Sequence, residues 1–365
     1  MKAIALIPGT TQFELIELPE PQIERPDEIK IKVLEVGICG TDRELAASGR
    51  AIAPLGEKHL IIGHEMLGEI KEIGKDVKGF KIGDLAIVTV RRGCGKCASC
   101  LADRADMCYR EDYVERGIKG LHGFQAEYVV DRENFFVKVP PSIRFCGVLC
   151  EPMSIVEKAI EEIVGIQKLR LLDWSEPEDL KQKQVLVAGM GVIGLLACLV
   201  LTLRGFKVFG FGKTSNSIRV KIFEDIGGTF IDGNSFLPKE IPIQFGPMDL
   251  IVEAAGAAEL NFHLLEALGA NGGFVFTGLP DPKAIFPING GHIVHELVLK
   301  NQIVLGSVNA AKKHWKLAID DLEQGQKKWP KIMSKLITSR FKKEQFKEIC
   351  QTRSKDEIKC VIAWE

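Results

Sequence analysis

Residues 185–203 read VLVAGMGVIGLLACLVLTL, nineteen positions without a charge. Length alone would let such a segment span a bilayer. Its internal order points elsewhere. The β-rich run QVLVA, beginning at Gln184, meets Gly189, and apolar residues resume after Gly194 for the length of a helix. The reading is a buried strand, a glycine turn and a buried helix, not a membrane span. The turn itself, GMGVIG at 189–194, has the spacing G-x-G-x-x-G. Between a strand and a helix this spacing serves a dinucleotide. Gly189 permits the tight turn, Gly191 lets the backbone approach a pyrophosphate, and Gly194 lets helix and strand pack closely. Met190, Val192 and Ile193 complete the turn, and the helix N-terminus faces the phosphates.

The next strand outward, KVFGFG, ends at Gly212. An Asp or Glu belongs there if the ribose hydroxyls of NAD are to be held. Instead Lys213, Thr214 and Ser215 follow, with Arg219 close by. A positive charge and hydroxyl donors suit a 2′-phosphate, so NADP is expected in preference to NAD. The segments MDLIVEAAG and GGFVFTGL read as further strands around the helical ELNFHLLEALGANG. Such alternation predicts an α/β, doubly wound parallel sheet.

The front half has a different character. EIKIKVLEVGICG, GHEMLGEIKEIG and FKIGDLAIVTV are short strand-like segments cut by glycine turns. They predict an all-β, barrel-like domain. After Glu151 the chain turns helical, with Ile155, Ala159, Ile163 and Ile166 on one face. The polar DWSEPEDLKQKQ then reads as a linker or surface excursion. A chain of 365 residues suits two domains.

The 48 basic and 49 acidic residues nearly cancel, which gives no electrostatic case for nucleic acid or an anionic membrane. The opening MKAIALIPGTTQF is too short an apolar run for a signal peptide. Ten cysteines without such a signal suggest a reducing, cytoplasmic setting, where clustered cysteines more often bind metal than form disulfides.

Four of the ten, Cys94, Cys97, Cys100 and Cys108, lie in CGKCASCLADRADMC. The short gaps let their thiolates converge on one tetrahedral ion. Four thiolates leave no open position for a substrate, so the expected role is structural zinc. An iron–sulfur cluster is the rival, although no Pro follows the last cysteine and no second motif is present. A second set of zinc-type ligands is scattered: Cys39 in GICGTD, His64 and Glu65 in GHE, and Glu151 in CEPMS. Singly these are ordinary residues. Together they describe an open site, at which zinc would lower the pKa of an alcohol hydroxyl. Thr41 could take that proton, or could simply cap a helix before DRELAAS.

The assembled pattern resembles the zinc-dependent medium-chain dehydrogenases, and within them the glucose 1-dehydrogenase branch. GICGTDRE, RRGCGKCASC, ERGIKGLHGF, EPMSIVEKAIEEI, GSVNAAKKH and EIKCVIAWE carry the resemblance. It implies a GroES-like catalytic domain over residues 1–184, a Rossmann domain over 185–305 and a C-terminal return to the catalytic domain over 306–365. It implies a homodimer or homotetramer. Catalytic zinc would be held by Cys39, His64 and Glu65, with Glu151 as a ligand or a supporting carboxylate and Cys150 as an adjacent thiolate. Thr41 would belong to the proton relay. Glu115 and Asn309 would bind sugar hydroxyls, and Gly278, Leu279 and Asn309 would border the cofactor. The expected reaction is oxidation of an aldose, D-glucose to gluconolactone, with NADP preferred. Val90 and Ile155 stand where some members carry polar groups, which leaves another alcohol, a polyol or L-threonine as the alternative substrate. A non-catalytic cofactor binder is the reading of another class, and the complete ligand set argues against it.

Overall fold

The computed structural model describes residues 1–110, 112–215, 217–352 and 354–365. It divides into two compact units, Met1–Ser154 with Asn309–Glu365, and Ile155–Val308.

The first unit is built on a seven-stranded sheet. Its long central strand, Glu28–Ile38, alternates apolar residues toward a core in which Ile29, Ile31, Val33 and Val36 are wholly buried. Antiparallel partners flank it, Glu65–Ile73 on one side and Lys359–Ala363 on the other. The register places Gly37 opposite Glu65 and Ile38 opposite Cys360. Three segments that are remote in sequence therefore end side by side at Cys39. Gly37 is required there: a Cβ at that position would stand 2.1 Å from Glu65 Oε2.

The second unit is a six-stranded sheet, parallel throughout. Its order is Thr229–Asp232, Lys207–Gly212, Gln184–Ala188, Met248–Glu253, Leu268–Phe276 and Ile303–Gly306. Numbered along the chain, this is the order 3-2-1-4-5-6 of a Rossmann sheet. Residues 185–203 form the end of one strand, a turn and the helix Val192–Leu203, whose residues 194–201 are all buried. No helix among the described residues is long and apolar enough to cross a membrane.

The division between units differs from the sequence expectation of 184/185 and 305/306. It falls at 154/155 and 308/309, the former inside the helix Cys150–Arg170. Packing explains the shift. Val156, Ala159, Ile160 and Ile163 are buried, and Ile163 lies so close under Gly273 that a Cβ there would come within 2.9 Å of it. The buried face is turned by one position from the expected one, because Ile166 is exposed and Ile160 is not. The polar excursion is also anchored: Trp174 is buried against Phe206, ring centroids 6.2 Å apart.

Candidate active site

Two groups of potential metal ligands converge among the described residues. In the first, the sulfurs of Cys94, Cys97, Cys100 and Cys108 all lie within 4.8 Å of one another. Backbone N–H groups of Lys96 and Cys97 donate to Cys94 Sγ, and that of Cys94 to Cys108 Sγ. Backbone donors lead the influences that pull the Cys97 thiol down to about 6, which prepares it as a thiolate. Four sulfurs in this arrangement fit a closed zinc shell.

The second group is Cys39, His64 and Glu65, again with ligand atoms within 4.8 Å of one another. Cys39 precedes the helix Gly40–Ser48, while His64 immediately precedes, and Glu65 opens, the strand Glu65–Ile73. Thiol, imidazole and carboxylate form a mixed donor set that suits zinc and, being three, leaves a coordination position open. Glu151, at the start of the helix Cys150–Arg170, lies outside this tight group. Burial is the main influence on its carboxyl and raises it to about 7, with His64 pulling the other way and Glu65 adding to the rise. Cys150, its neighbour, is wholly buried, and burial drives its thiol well above the ordinary range.

Two further residues hold this group, and neither was singled out from the sequence. Asp42 is wholly buried. Its Oδ2 accepts from the Cys39 backbone N–H at 2.8 Å and its Oδ1 from that of Gly63 at 3.3 Å. Oδ1 also stands 3.6 Å from His64 Nδ1. At that distance the carboxylate makes no hydrogen bond to the ring and acts on His64 through its charge. Burial would lower the His64 pKa, but Asp42 and Cys39 outweigh it and hold it well above the ordinary value. The second residue is Lys359, on the returning C-terminal strand. Its Nζ lies 2.7 Å from Glu65 Oε1 and 2.6 Å from Oε2. Burial opposes the Lys359 charge, yet Glu65 and Cys39 raise its pKa. The signal for Asp42 was present in GTD, three positions after Cys39, where a helix-capping acid reaches back. That assigns the capping to Asp42. Thr41 instead faces Cys39, whose Sγ–H points at Thr41 Oγ1 across 3.8 Å.

Glu115 and Asn309 meet. Asn309 Nδ2 donates to Glu115 Oε1 at 2.7 Å, and Arg91 Nε donates to the same oxygen at 2.9 Å. Asn309 sits at φ 61°, a left-handed conformation that Asn tolerates better than most residues.

In the second unit, a cavity of about 970 Å³ is lined by Gly189, Met190, Gly212, Lys213, Thr214 and, beyond these, Ser217 and Arg219. Gly189 adopts φ 99°, and a Cβ on Gly194 would lie 1.9 Å from the Gly189 carbonyl oxygen, so both glycines are required. Gly191 has open space where a Cβ would be. Ser215 does not line the cavity; it bonds Asp232, which sits beside Gly212 in the adjacent strand. Ser217 takes its place. Nor do Gly191, Val192, Ile193, Gly194, Gly278 or Leu279 line it. The buried Glu253 accepts from the backbone N–H of Ala255, Gly256 and Gly278, and so ties together two loops at the strand ends.

Residues 25–141 match the alcohol dehydrogenase GroES-like domain, and residues 145–364 match the glucose dehydrogenase C-terminus. The chain is 38% identical to a glucose 1-dehydrogenase of Methanocella arvoryzae over 99% of both chains. It is 35% identical to one from Thermoproteus tenax, again over 99% of both. The structure of Haloferax mediterranei glucose dehydrogenase in complex with NADP, Zn and gluconolactone superposes with a TM-score of 0.89 at 30% identity, covering 100% of this chain and 99% of that one. With both family models matched along most of its length, the chain belongs to the glucose dehydrogenase branch of the zinc-dependent medium-chain dehydrogenases.

Proposed function

We propose that the protein oxidises an aldose at its anomeric carbon, D-glucose to gluconolactone, with NADP as the preferred acceptor. The observation that carries this is the open Cys39–His64–Glu65 group in a chain 38% identical to a glucose 1-dehydrogenase over its full length. Cys39 and His64 would hold zinc, completed by Glu65, Glu151 or water. Zinc held there would supply the Lewis acidity that eases loss of the C1 hydroxyl proton, and NADP would supply the hydride acceptor. Thr41 Oγ1, beside Cys39, receives the hydroxyl proton and passes it to solvent. Glu115 and Asn309, already hydrogen-bonded to each other, exchange that contact for sugar hydroxyls and fix the orientation of C1. Asp42 places a carboxylate 3.6 Å from His64 Nδ1, and Lys359 pairs with Glu65 behind the site.

The cofactor preference rests on Lys213, Thr214, Ser217 and Arg219 lining the cavity beside Gly212, where the ribose-binding acid is missing. A homo-oligomer is supported by the helix Gly290–Leu299, which has no buried residue and exposes Val294, Val298 and Leu299 by 60–70%. The adjacent-numbered strand Ile303–Gly306 forms an open sheet edge.

The test is reduction of NADP and NAD with D-glucose, D-galactose, D-xylose, a polyol and L-threonine, with and without a chelator. Chelator-sensitive turnover of an aldose with NADP is expected. Turnover of only the polyol or L-threonine would replace the sugar assignment, and a strong NAD preference would overturn the cofactor assignment. Light scattering of the purified protein tests the oligomer; a monomer at micromolar concentration would refute it.

A further inference from the structure

We infer that the first unit carries an anion site beside the four-cysteine loop, suited to a phosphate group on a small molecule. Its cavity measures about 590 Å³ and shares no lining residue with the nucleotide cavity. That volume is within the range of small-molecule pockets. Its wall carries Arg91, Arg92, Arg104, Lys312, Lys313 and Lys316, against one carboxylate, Asp103.

The arginines are already paired. Arg91 donates to Glu115 at 2.9 Å, Arg92 to Asp131 at 2.6 Å and Arg104 to Asp106 at 2.8 Å. Lys312 is placed differently. Lys312 Nζ donates to the Asn134 carbonyl at 2.8 Å, a neutral acceptor that leaves the charge in place. Burial and the neighbouring Lys316 both work against that charge, with Glu133 and Asp103 opposing them, and the net effect lowers the Lys312 pKa. All three lysines belong to the first turns of the helix Lys312–Lys328, which has no acid in its first turn. Cations are disfavoured there, because the helix dipole already presents positive charge. The cavity therefore concentrates positive potential that the protein itself only partly offsets. A phosphate group supplies two negative charges and several acceptor oxygens in a compact volume, and lysines are well suited to bind it as point charges. Inorganic phosphate and a phosphate monoester share this chemistry.

The experiment is calorimetric titration of the full-length, zinc-loaded protein saturated with NADP, so that the nucleotide cavity is filled. Inorganic phosphate and glycerol 3-phosphate are the two probes, and chloride at matched ionic strength is the control. One saturable site per chain is expected for at least one probe, and the tighter probe identifies the source. The double variant Lys312→Gln/Lys316→Gln should weaken it about tenfold or more, from two lost charge-assisted contacts. Lys316→Glu, which spares the Lys312–Asn134 bond, should also weaken it, whereas Lys335→Gln, outside the cavity, should not. No saturable binding, equal response to chloride, or unchanged affinity in both cavity variants would overturn the inference.

Discussion

Replacing Lys359 by Met removes the countercharge of Glu65 without touching a proposed zinc ligand. In the wild type, Nζ stands 2.6–2.7 Å from the two carboxylate oxygens, and both side chains are almost fully buried. At an effective dielectric of about 20, attraction at that distance is about 6 kcal/mol. The net effect of the substitution is smaller, about 3–5 kcal/mol of lost stability, since what remains is a buried carboxylate without a partner. The assay is urea denaturation of the full-length protein stripped of metal. Lys359→Met/Glu65→Gln should regain most of the loss, because neither charge is then stranded. Adding zinc to the single variant should also recover part of it, because the released Glu65 carboxylate faces Cys39 and His64. Two results would refute the reasoning: a metal-stripped Lys359→Met protein within about 1 kcal/mol of wild type, or a double variant no more stable than the single one.

Cys39→Ser should abolish turnover and lower bound zinc from two ions to one per chain, with thermal unfolding little changed; metal analysis with calorimetry checks it. Cys97→Ser should lower thermal stability or disrupt assembly before it alters the chemical step, and full stability with lost turnover would refute a structural role for the loop. Burial raises the Glu151 carboxyl from 4.5 to about 7 in the folded, metal-free protein. The unfolded chain therefore releases this proton first, and the contribution of Glu151 to stability falls as pH rises from about 4.5 to 7. Glu151→Gln removes that loss, so its metal-free form should gain stability over wild type as pH rises through this window, as read by denaturation at pH 5 and pH 8. Lys213→Ala should lower kcat/KM for NADP about tenfold while leaving that for NAD nearly unchanged, by loss of a charge-assisted contact to the 2′-phosphate.

The ligand motifs were legible because their chemistry is local. CGKCASC brings its sulfurs together through turns of two or three residues, and GMGVIG through one strand–helix junction. The missing acid after Gly212 was legible for the same reason. Ser217, which lines the nucleotide cavity, was not singled out from the sequence, and Ser215 bonds instead to Asp232 on the next strand. The division of the compact units at 154/155 was not legible, because helical periodicity shows that 155–166 has an apolar face but not which sheet covers it. That face was also misplaced by one position, since exposed Ile166 and buried Ile160 look alike in a sequence.

What the chain determines by itself is therefore the inventory: two kinds of metal-ligand set, a dinucleotide turn without its ribose acid, and the alternation that makes one half β and the other α/β. What only the tertiary structure decided is the electrostatic setting of that inventory. Lys359 lies 294 positions from Glu65 and reaches it because two antiparallel strands share one central neighbour. Asp42 stands behind His64, 22 positions away, only because the central strand and the strand opening at Glu65 end in register. Buried charges need partners whatever their distance along the chain, and strand register, which no local spacing reveals, selects those partners.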